Sequence, residues 1–119
     1  RNFPTRKARS SRDIALPDGI EDDAYLAILD EALHEILPGF EPDLLLYQAG
    51  VDPHVDDRLG RLALTDAGLE RRERMVIRRA RDRGIAVASA LGGGYGHDHR
   101  AVALRHARSM IAMADEASR

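Results

Sequence analysis

The sequence predicts an α/β domain built around a parallel sheet. Two short apolar runs, at residues 44–47 and 85–91, have the length and composition of strands. Three longer segments, each with apolar residues at helical spacing, alternate with these runs. The order helix, strand, helix, strand, helix is a βαβ unit with flanking helices, so the two strands are expected to be parallel with a right-handed crossover.

Each predicted helix has recognisable ends. The first spans 22–37, begins with acidic residues and ends before Pro38. The second opens at Thr65, whose hydroxyl can cap a helix, and closes at Gly84, where glycine can adopt a left-handed conformation. The third follows a run of glycines and extends over 98–114.

The two predicted strands are too apolar to stand alone. Residues 44–47 are apolar throughout and 85–91 nearly so, which is typical of the middle of a wide parallel sheet. Two strands cannot bury such faces by themselves, and their edges leave backbone groups unpaired. We therefore expect either self-association or coverage of these faces by a missing N-terminal portion.

The bulk composition is that of an ordinary globular domain. The chain has 119 residues, 44% hydrophobic and 32% charged, so one domain with one core is expected. A formal net charge of -2, from 18 basic and 20 acidic residues, provides no positive field for nucleic acid or an anionic membrane. The arginines between positions 71 and 83 are interleaved with Glu70 and Glu73, which predicts a solvated helix face.

Cysteine is absent, so a zinc site in this chain must use His, Asp or Glu. No apolar run approaches the roughly 20 residues that span a bilayer, and no signal-peptide pattern opens the sequence. We expect a soluble protein of the cytoplasm.

The loops that follow the two strands are the predicted functional region, because ligands of open α/β sheets bind beyond the carboxyl ends of the strands. Asp52 directly follows the first strand and can either ligate a metal or cap the turn that begins at Pro53. Gly92-Gly93-Gly94-Tyr95 follows the second. Its spacing does not fit a nucleotide-binding fingerprint, whereas the hydroxyl of Tyr95 could donate a hydrogen bond to an oxyanion.

The histidines are weaker candidates. In His97-Asp98-His99 the two imidazoles point to different sides of a starting helix, and Asp98 is a good N-cap, so the capping interpretation is favoured over a metal site. His54 and Asp56 form a loop pair of low specificity. The remaining two, His34 and His106, lie within predicted helices and are interpreted as packing or surface residues.

Residues 44–60, with Asp52 at their centre, resemble the segment of histone deacetylase-like enzymes that supplies their third zinc ligand. The segment 87–95, which ends in Leu91-Gly92-Gly93-Gly94-Tyr95, is similar to their catalytic tyrosine loop. Asn2-Phe3-Pro4 and Leu16-Pro17-Asp18-Gly19 also resemble landmarks of the family, in the right order. The likeness covers essentially the whole chain and is closest to the bacterial and class IV branch. It implies the C-terminal part of an arginase/deacetylase-like fold, a three-layer α/β/α arrangement with a parallel sheet.

The resemblance also implies roles for individual residues. Asp52 would be a zinc ligand and Tyr95 the hydroxyl that stabilises the tetrahedral oxyanion. The walls of the channel for an acyl-lysine-like chain would include Phe3, Leu59, Gly93 and Gly94. The family's Asp-x-His pair of zinc ligands and its His-His general base are expected on segments upstream of Arg1. Residues 1–119 would then be the C-terminal portion of a single deacetylase domain.

Two functions remain open at this point. The first is a zinc-dependent amide hydrolase that removes an acetyl or related acyl group from an amine such as acetyl-lysine or acetylpolyamine. In that case the isolated chain is expected to be inactive, because one carboxylate cannot hold catalytic zinc. The second is a catalytically incompetent fragment or interaction module.

Overall fold

A computed structural model describes residues 4–119. In chain order its elements are α1 (Asp22–Phe40), β1 (Leu44–Ala49), α2 (Asp66–Arg81), β2 (Ala86–Leu91) and α3 (His99–Ala117). The predicted order of helices and strands is therefore confirmed. Between residues 4 and 119, every helix is too short or too polar to cross a membrane.

β1 and β2 pair in parallel, as expected for a βαβ unit. Leu44 lies opposite Ala86 at the start of the ladder, and Ala49 lies opposite Leu91 at its end. Both strands therefore finish at the same edge of the sheet. The loops that begin at Gly50 and Gly92 leave from that edge.

All three helices pack on one face of this sheet. One apolar cluster joins α1 and α2 to the strands, and a second joins α2 and α3 to them. Both clusters include Tyr47 of β1 and Val87 of β2, which are two positions that point to the same side. The buried helix residues in these clusters are Leu33, Leu37, Val76, Ile77, Ala80 and Met113.

The other face of the sheet is open within residues 4–119. Leu46 is 75% exposed, and its neighbour Leu44 and the facing Ala86 and Ala88 are exposed as well. The described residues thus contribute the parallel sheet and one helical layer of an α/β/α arrangement. An apolar sheet face of this kind is ordinarily covered by a further layer.

The ends of the elements differ slightly from expectation. α1 continues through Pro38 to Phe40, beyond the predicted end, so the proline is accommodated in the last turn although it cannot donate the helical hydrogen bond. The helix ends where Glu41 adopts a left-handed conformation and its N–H donates to Leu37 O. As predicted, Thr65 caps α2 through its hydroxyl, and Gly84 has a positive φ of 69°.

Two charged residues of α2 correct the interpretation of its arginine-rich face. Arg72 and Glu73 are buried rather than solvated. Arg72 Nε donates to Glu73 Oε1 over 2.6 Å, and the hydroxyl of Tyr47 donates to the same oxygen over 3.2 Å. The reason is position: both residues lie one helical turn from Leu69 and Val76, on the side that faces the sheet. Burial raises the pKa of Tyr47 well above its usual range.

Glu116 joins α3 to α2 as a nearly fully buried carboxylate. Its Oε1 accepts a hydrogen bond from Arg78 Nε over 2.8 Å. Nitrogens of Arg74 and Arg81 lie 3.7 Å from its carboxylate oxygens. The hydrogen bond from Arg78 lowers the pKa of Glu116 below its ordinary value.

We predict that Glu116→Gln lowers the melting temperature at pH 7 by on the order of 5 °C, because the arginines lose their shared carboxylate. Folding lowers the pKa of Glu116 below its ordinary value of about 4.3. The charge of Glu116 therefore stabilises the folded state at pH values above about 4.3, and this contribution is lost as the pH falls through the folded-state pKa. The difference from wild type should therefore shrink in acid. Thermal unfolding between pH 7 and pH 3 measures it, with the exposed Glu31→Gln as the matched control. A constant difference across this range would contradict the assignment.

Candidate active site

The two strand ends approach each other unusually closely. Val51 N donates to Gly93 O over 2.7 Å, which continues the pairing beyond the last strand residues. A β-carbon on Gly92 would lie 2.9 Å from Gly50 Cα, well inside the ordinary separation of non-bonded carbons. Glycine is therefore required where the loops leave the sheet, because any side chain there would separate them.

The space left by these glycines holds the carboxylate of Asp52. A β-carbon on Gly50 would lie 2.7 Å from Asp52 Oδ1, and one on Gly93 would overlap Oδ2. Within residues 4–119, no hydrogen-bond donor or cation pairs with this carboxylate. The turn at Pro53 is closed instead by His54 N, which donates to Val51 O over 3.1 Å. Asp52 thus does not act as the cap of that turn, and its oxygens remain free to accept.

Tyr95 is held at the same edge by its backbone. Its N–H donates to Asp57 Oδ2 over 2.8 Å, and its carbonyl accepts from Arg58 N over 2.5 Å. The side chain is 46% exposed and lines a shallow cavity together with Arg58, Gly94 and His99. The ring is therefore accessible from solvent. It lies beyond the end of β2, two residues after Gly93, which contacts Asp52.

Leu59 lies on the loop that faces Tyr95. Its N–H donates to the other oxygen of Asp57, Oδ1, over 2.9 Å, and its side chain is exposed. Gly94 packs against Val51 and His106, so it also lies at this edge of the sheet. The structure thus brings Asp52, Leu59, Gly93, Gly94 and Tyr95 together, whereas Phe3 lies outside the described residues.

His54 is a structural residue rather than a partner of Asp52. The spacing Asp52-Pro53-His54 also fits an Asp-x-His pair, but His54 is only 6% exposed and both ring nitrogens have partners. Nδ1 accepts from Asp56 N over 3.1 Å, and Nε2 lies 3.1 Å from Asp66 Oδ1. Asp66 in turn pairs with Arg108 of α3. His54 therefore anchors the loop to α2 and α3.

The other histidines behave as interpreted from the sequence. Asp98 Oδ1 accepts from the N–H groups of residues 100 and 101, so it is the N-cap of α3, and His97 and His99 are exposed. His34 bonds within its own helix through Asp30 O, and His106 packs against Gly94. In the part of the chain that the structure describes, no three His, Asp or Glu side chains form a metal-binding group.

Comparison with known proteins identifies the family and the fold of this chain. Residues 3–111 match the histone deacetylase domain. The chain belongs to the histone deacetylase family. A solved acetylpolyamine aminohydrolase from Burkholderia pseudomallei superposes with a TM-score of 0.68 and 27% identity, over 85% of this chain and 28% of that one. The arginase/deacetylase-like fold implied by the resemblance is thereby confirmed.

Relatives of this deacetylase-family chain occur in bacteria, archaea and plants. An uncharacterized protein of Picosynechococcus is 49% identical over 105 residues, which cover 88% of this chain and 35% of that protein. Histone deacetylase 2 of Arabidopsis thaliana is 37% identical over 82 residues, and a probable deacetylase of Archaeoglobus fulgidus is 34% identical over 84 residues. Each of these two alignments covers 69% of this chain, with 21% of the plant protein and 23% of the archaeal protein. The chain thus spans about a third or less of the length of these relatives.

Sequence reasoning missed Asp57, which organises the site through backbone contacts. Its carboxylate accepts hydrogen bonds from the N–H groups of Leu59, Gly60 and Tyr95. The signal was present in the sequence, because an aspartate followed closely by a glycine is typical of a turn in which the side chain bonds the backbone two or three residues on. The bond to Tyr95, 38 residues away, had no local signal.

We predict that Gly93→Ala destabilises the fold by about 1–3 kcal/mol, because its methyl group would occupy the position of Asp52 Oδ2. The matched control is Gly39→Ala in α1, where a β-carbon would have no heavy atom within 4 Å. That substitution should be neutral or stabilise by up to about 1 kcal/mol, since alanine favours the helix. Urea unfolding of both variants measures the difference. Equal stability of the two variants would show that the Asp52 carboxylate does not occupy this position.

Proposed function

We propose that this chain forms part of a zinc-dependent deacetylase, an amide hydrolase that releases an acetyl or related acyl group from an amine. We infer further that residues 1–119 are the C-terminal portion of a single deacetylase domain. The observation that carries the proposal is the placement of Asp52 and Tyr95. They leave the carboxyl ends of two neighbouring parallel strands, and Gly93 lies between them in contact with the Asp52 carboxylate.

The donor chemistry of Asp52 fits a zinc ligand. A carboxylate oxygen is a normal zinc ligand, and this carboxylate has no hydrogen-bond donor or cation paired with it among residues 4–119. When bound, zinc would polarise the acyl carbonyl and activate water. A catalytic site needs three protein ligands, and the described residues offer no group of three. The Asp-x-His ligands and the His-His base of the family pattern would therefore come from outside this chain.

The accessibility and backbone contacts of Tyr95 support a role as the oxyanion donor. Its phenol is accessible at the strand end, and its backbone is bonded on both sides to the loop that carries Asp57 and Arg58. A hydroxyl held in place before the reaction stabilises the developing negative charge without reorganising at that moment. Leu59, Gly93 and Gly94 would border the alkyl chain of the substrate, since all three lie at the same edge.

The amide on an alkyl chain is the chemistry that such a site recognises. Acetyl-lysine in a protein and an acetylated polyamine both present it, and the solved relative from Burkholderia pseudomallei is an acetylpolyamine aminohydrolase. Both substrates are therefore included in the proposal. Activity against each, measured on the intact deacetylase domain loaded with zinc, would separate them.

Tyr95→Phe in the intact domain should lower kcat by about 10²- to 10³-fold, the usual loss when one oxyanion donor is removed. Zinc content and melting temperature should remain those of the wild type, because the hydroxyl of Tyr95 bonds to no residue between 4 and 119. Steady-state kinetics with an acetylated peptide measures the effect. Undiminished turnover would remove Tyr95 from the mechanism.

Asp52→Ala should abolish stoichiometric zinc in the intact domain, since the site would retain only two of its three protein ligands. Elemental analysis after gel filtration measures the metal. The control is Asp18→Ala, which removes an exposed carboxylate that pairs with Arg61. Full zinc occupancy in Asp52→Ala would assign this aspartate to a structural role.

The open sheet face is the observation that would support the alternative, a catalytically incompetent fragment or interaction module. Leu44 and Leu46 lie in a strip of exposed apolar residues with the facing alanines of β2. A strip of this kind is a site for association. We propose that it is covered by the N-terminal portion of the domain when that portion is present, and by another copy of the chain when it is not.

The isolated chain of 119 residues should therefore self-associate and should neither hold catalytic zinc nor hydrolyse acetyl-lysine. Leu46→Lys should shift the chain toward monomer, because a charge would be buried in the interface. Ile111→Lys is the matched control, since Ile111 is 67% exposed and lies on α3, which packs on the opposite face of the sheet. Light scattering after gel filtration reports the masses. A monomeric wild-type chain that binds one zinc tightly would contradict the proposal.

A further inference from the structure

Asp57 connects the two loops of the site with a single side chain. Oδ1 accepts from Leu59 N at 2.9 Å and from Gly60 N at 2.7 Å, while Oδ2 accepts from Tyr95 N at 2.8 Å. Hydrogen bonds to an ionised carboxylate are stronger than those between neutral groups. One charge therefore holds both the turn after Asp52 and the backbone of Tyr95.

A second contact makes this connection reciprocal. Arg58, the residue after Asp57, donates its N–H to Tyr95 O over 2.5 Å. Both polar groups of the Tyr95 backbone are thus bonded to two consecutive residues of the opposite loop. Such a pair of bonds fixes the orientation of Tyr95 as well as the distance between its backbone and the opposite loop.

The same turn also supports Asp52. A β-carbon on Gly60 would overlap Asp52 O and would lie 3.2 Å from Asp57 Oδ1. The turn that Asp57 closes is thus packed directly on the backbone of Asp52. Among residues 4–119, Asp57 makes no hydrogen bond with the Asp52 carboxylate, yet its carboxylate holds the backbone of Leu59 and Tyr95 and supports that of Asp52.

We propose that Asp57 is a positioning residue for the reaction, which acts by holding the phenol of Tyr95 at the oxyanion position across from Leu59. This inference rests on the proposed deacetylase function. Its physical basis is that a donor misplaced by about 1 Å loses a large part of its catalytic effect. Asp57 therefore contributes to turnover through Tyr95 and has no independent chemical role.

The most informative substitution is Asp57→Asn in the intact, zinc-loaded domain. An amide has one accepting oxygen, which can keep the bonds to Leu59 and Gly60, and one NH₂ group, which would then face the N–H of Tyr95. We expect the turn to persist and the bond to Tyr95 to be lost. The kcat should fall by about 10- to 100-fold, with KM changed by less than about threefold, because transition-state stabilisation is what is weakened.

A double-mutant cycle separates positioning from a general structural effect. If Asp57 acts through the phenol, Asp57→Asn should lower kcat by less than about twofold in a Tyr95→Phe background, since the hydroxyl to be positioned is gone. Asp57→Ala removes all three acceptors, whichever way the asparagine amide is turned, and its effect on kcat should show the same dependence on Tyr95. An equal fold-loss in both backgrounds would overturn the proposal.

The control and a second readout keep this test independent of the proposed function. Asp56→Asn alters the neighbouring carboxylate, which is exposed and lies 3.5 Å from Arg105. This control should leave kcat and the melting temperature unchanged. Amide hydrogen exchange at Tyr95 should accelerate in the Asp57→Ala variant and remain slow in Asp56→Asn. Unchanged exchange at Tyr95 in Asp57→Ala would overturn the positioning role even in an inactive protein. An inactive wild-type domain would overturn the deacetylase proposal instead.

Discussion

The site depends on the absence of side chains where the two parallel strands end. Gly50 and Gly92 approach so closely that a β-carbon on either would meet backbone or a carboxylate, and Gly93 leaves room for Asp52. Parallel pairing brings both loops to one edge, and the glycines then allow a carboxylate from one loop to contact the backbone of the other. The distance between Asp52 and the Tyr95 loop follows from this packing.

Much of this arrangement could be predicted from local patterns. Apolar periodicity and capping residues located all five elements, and their alternation predicted the parallel pairing that places Asp52 and Tyr95 together. Pairings between distant residues could not be predicted in this way. The bond of Asp57 to Tyr95 is an example, since each partner also suits an ordinary turn. The charges of Arg72 and Glu73 indicate a solvated face, but their helical position turns both residues toward the sheet.

Charged as well as apolar side chains pack against the strand ends and the loop that carries Asp52. Arg72 and Glu73 are buried under Tyr47 of β1, while His54 and Asp66 anchor the loop that carries Asp52. A buried charge that lost its partner would be costly, so these pairs restrict how α2 can shift against the sheet. In our proposal, this supporting structure belongs to the C-terminal portion of a deacetylase domain.

The central claim is that Asp52 and Tyr95 form one side of a zinc site completed by residues outside this chain. Anomalous diffraction at the zinc edge from crystals of the intact domain tests it most directly. We predict a zinc ion about 2.0–2.2 Å from a carboxylate oxygen of Asp52, on the side of the site that carries Tyr95. Zinc bound elsewhere, with the Asp52 carboxylate still packed only on Gly50 and Gly93, would contradict it.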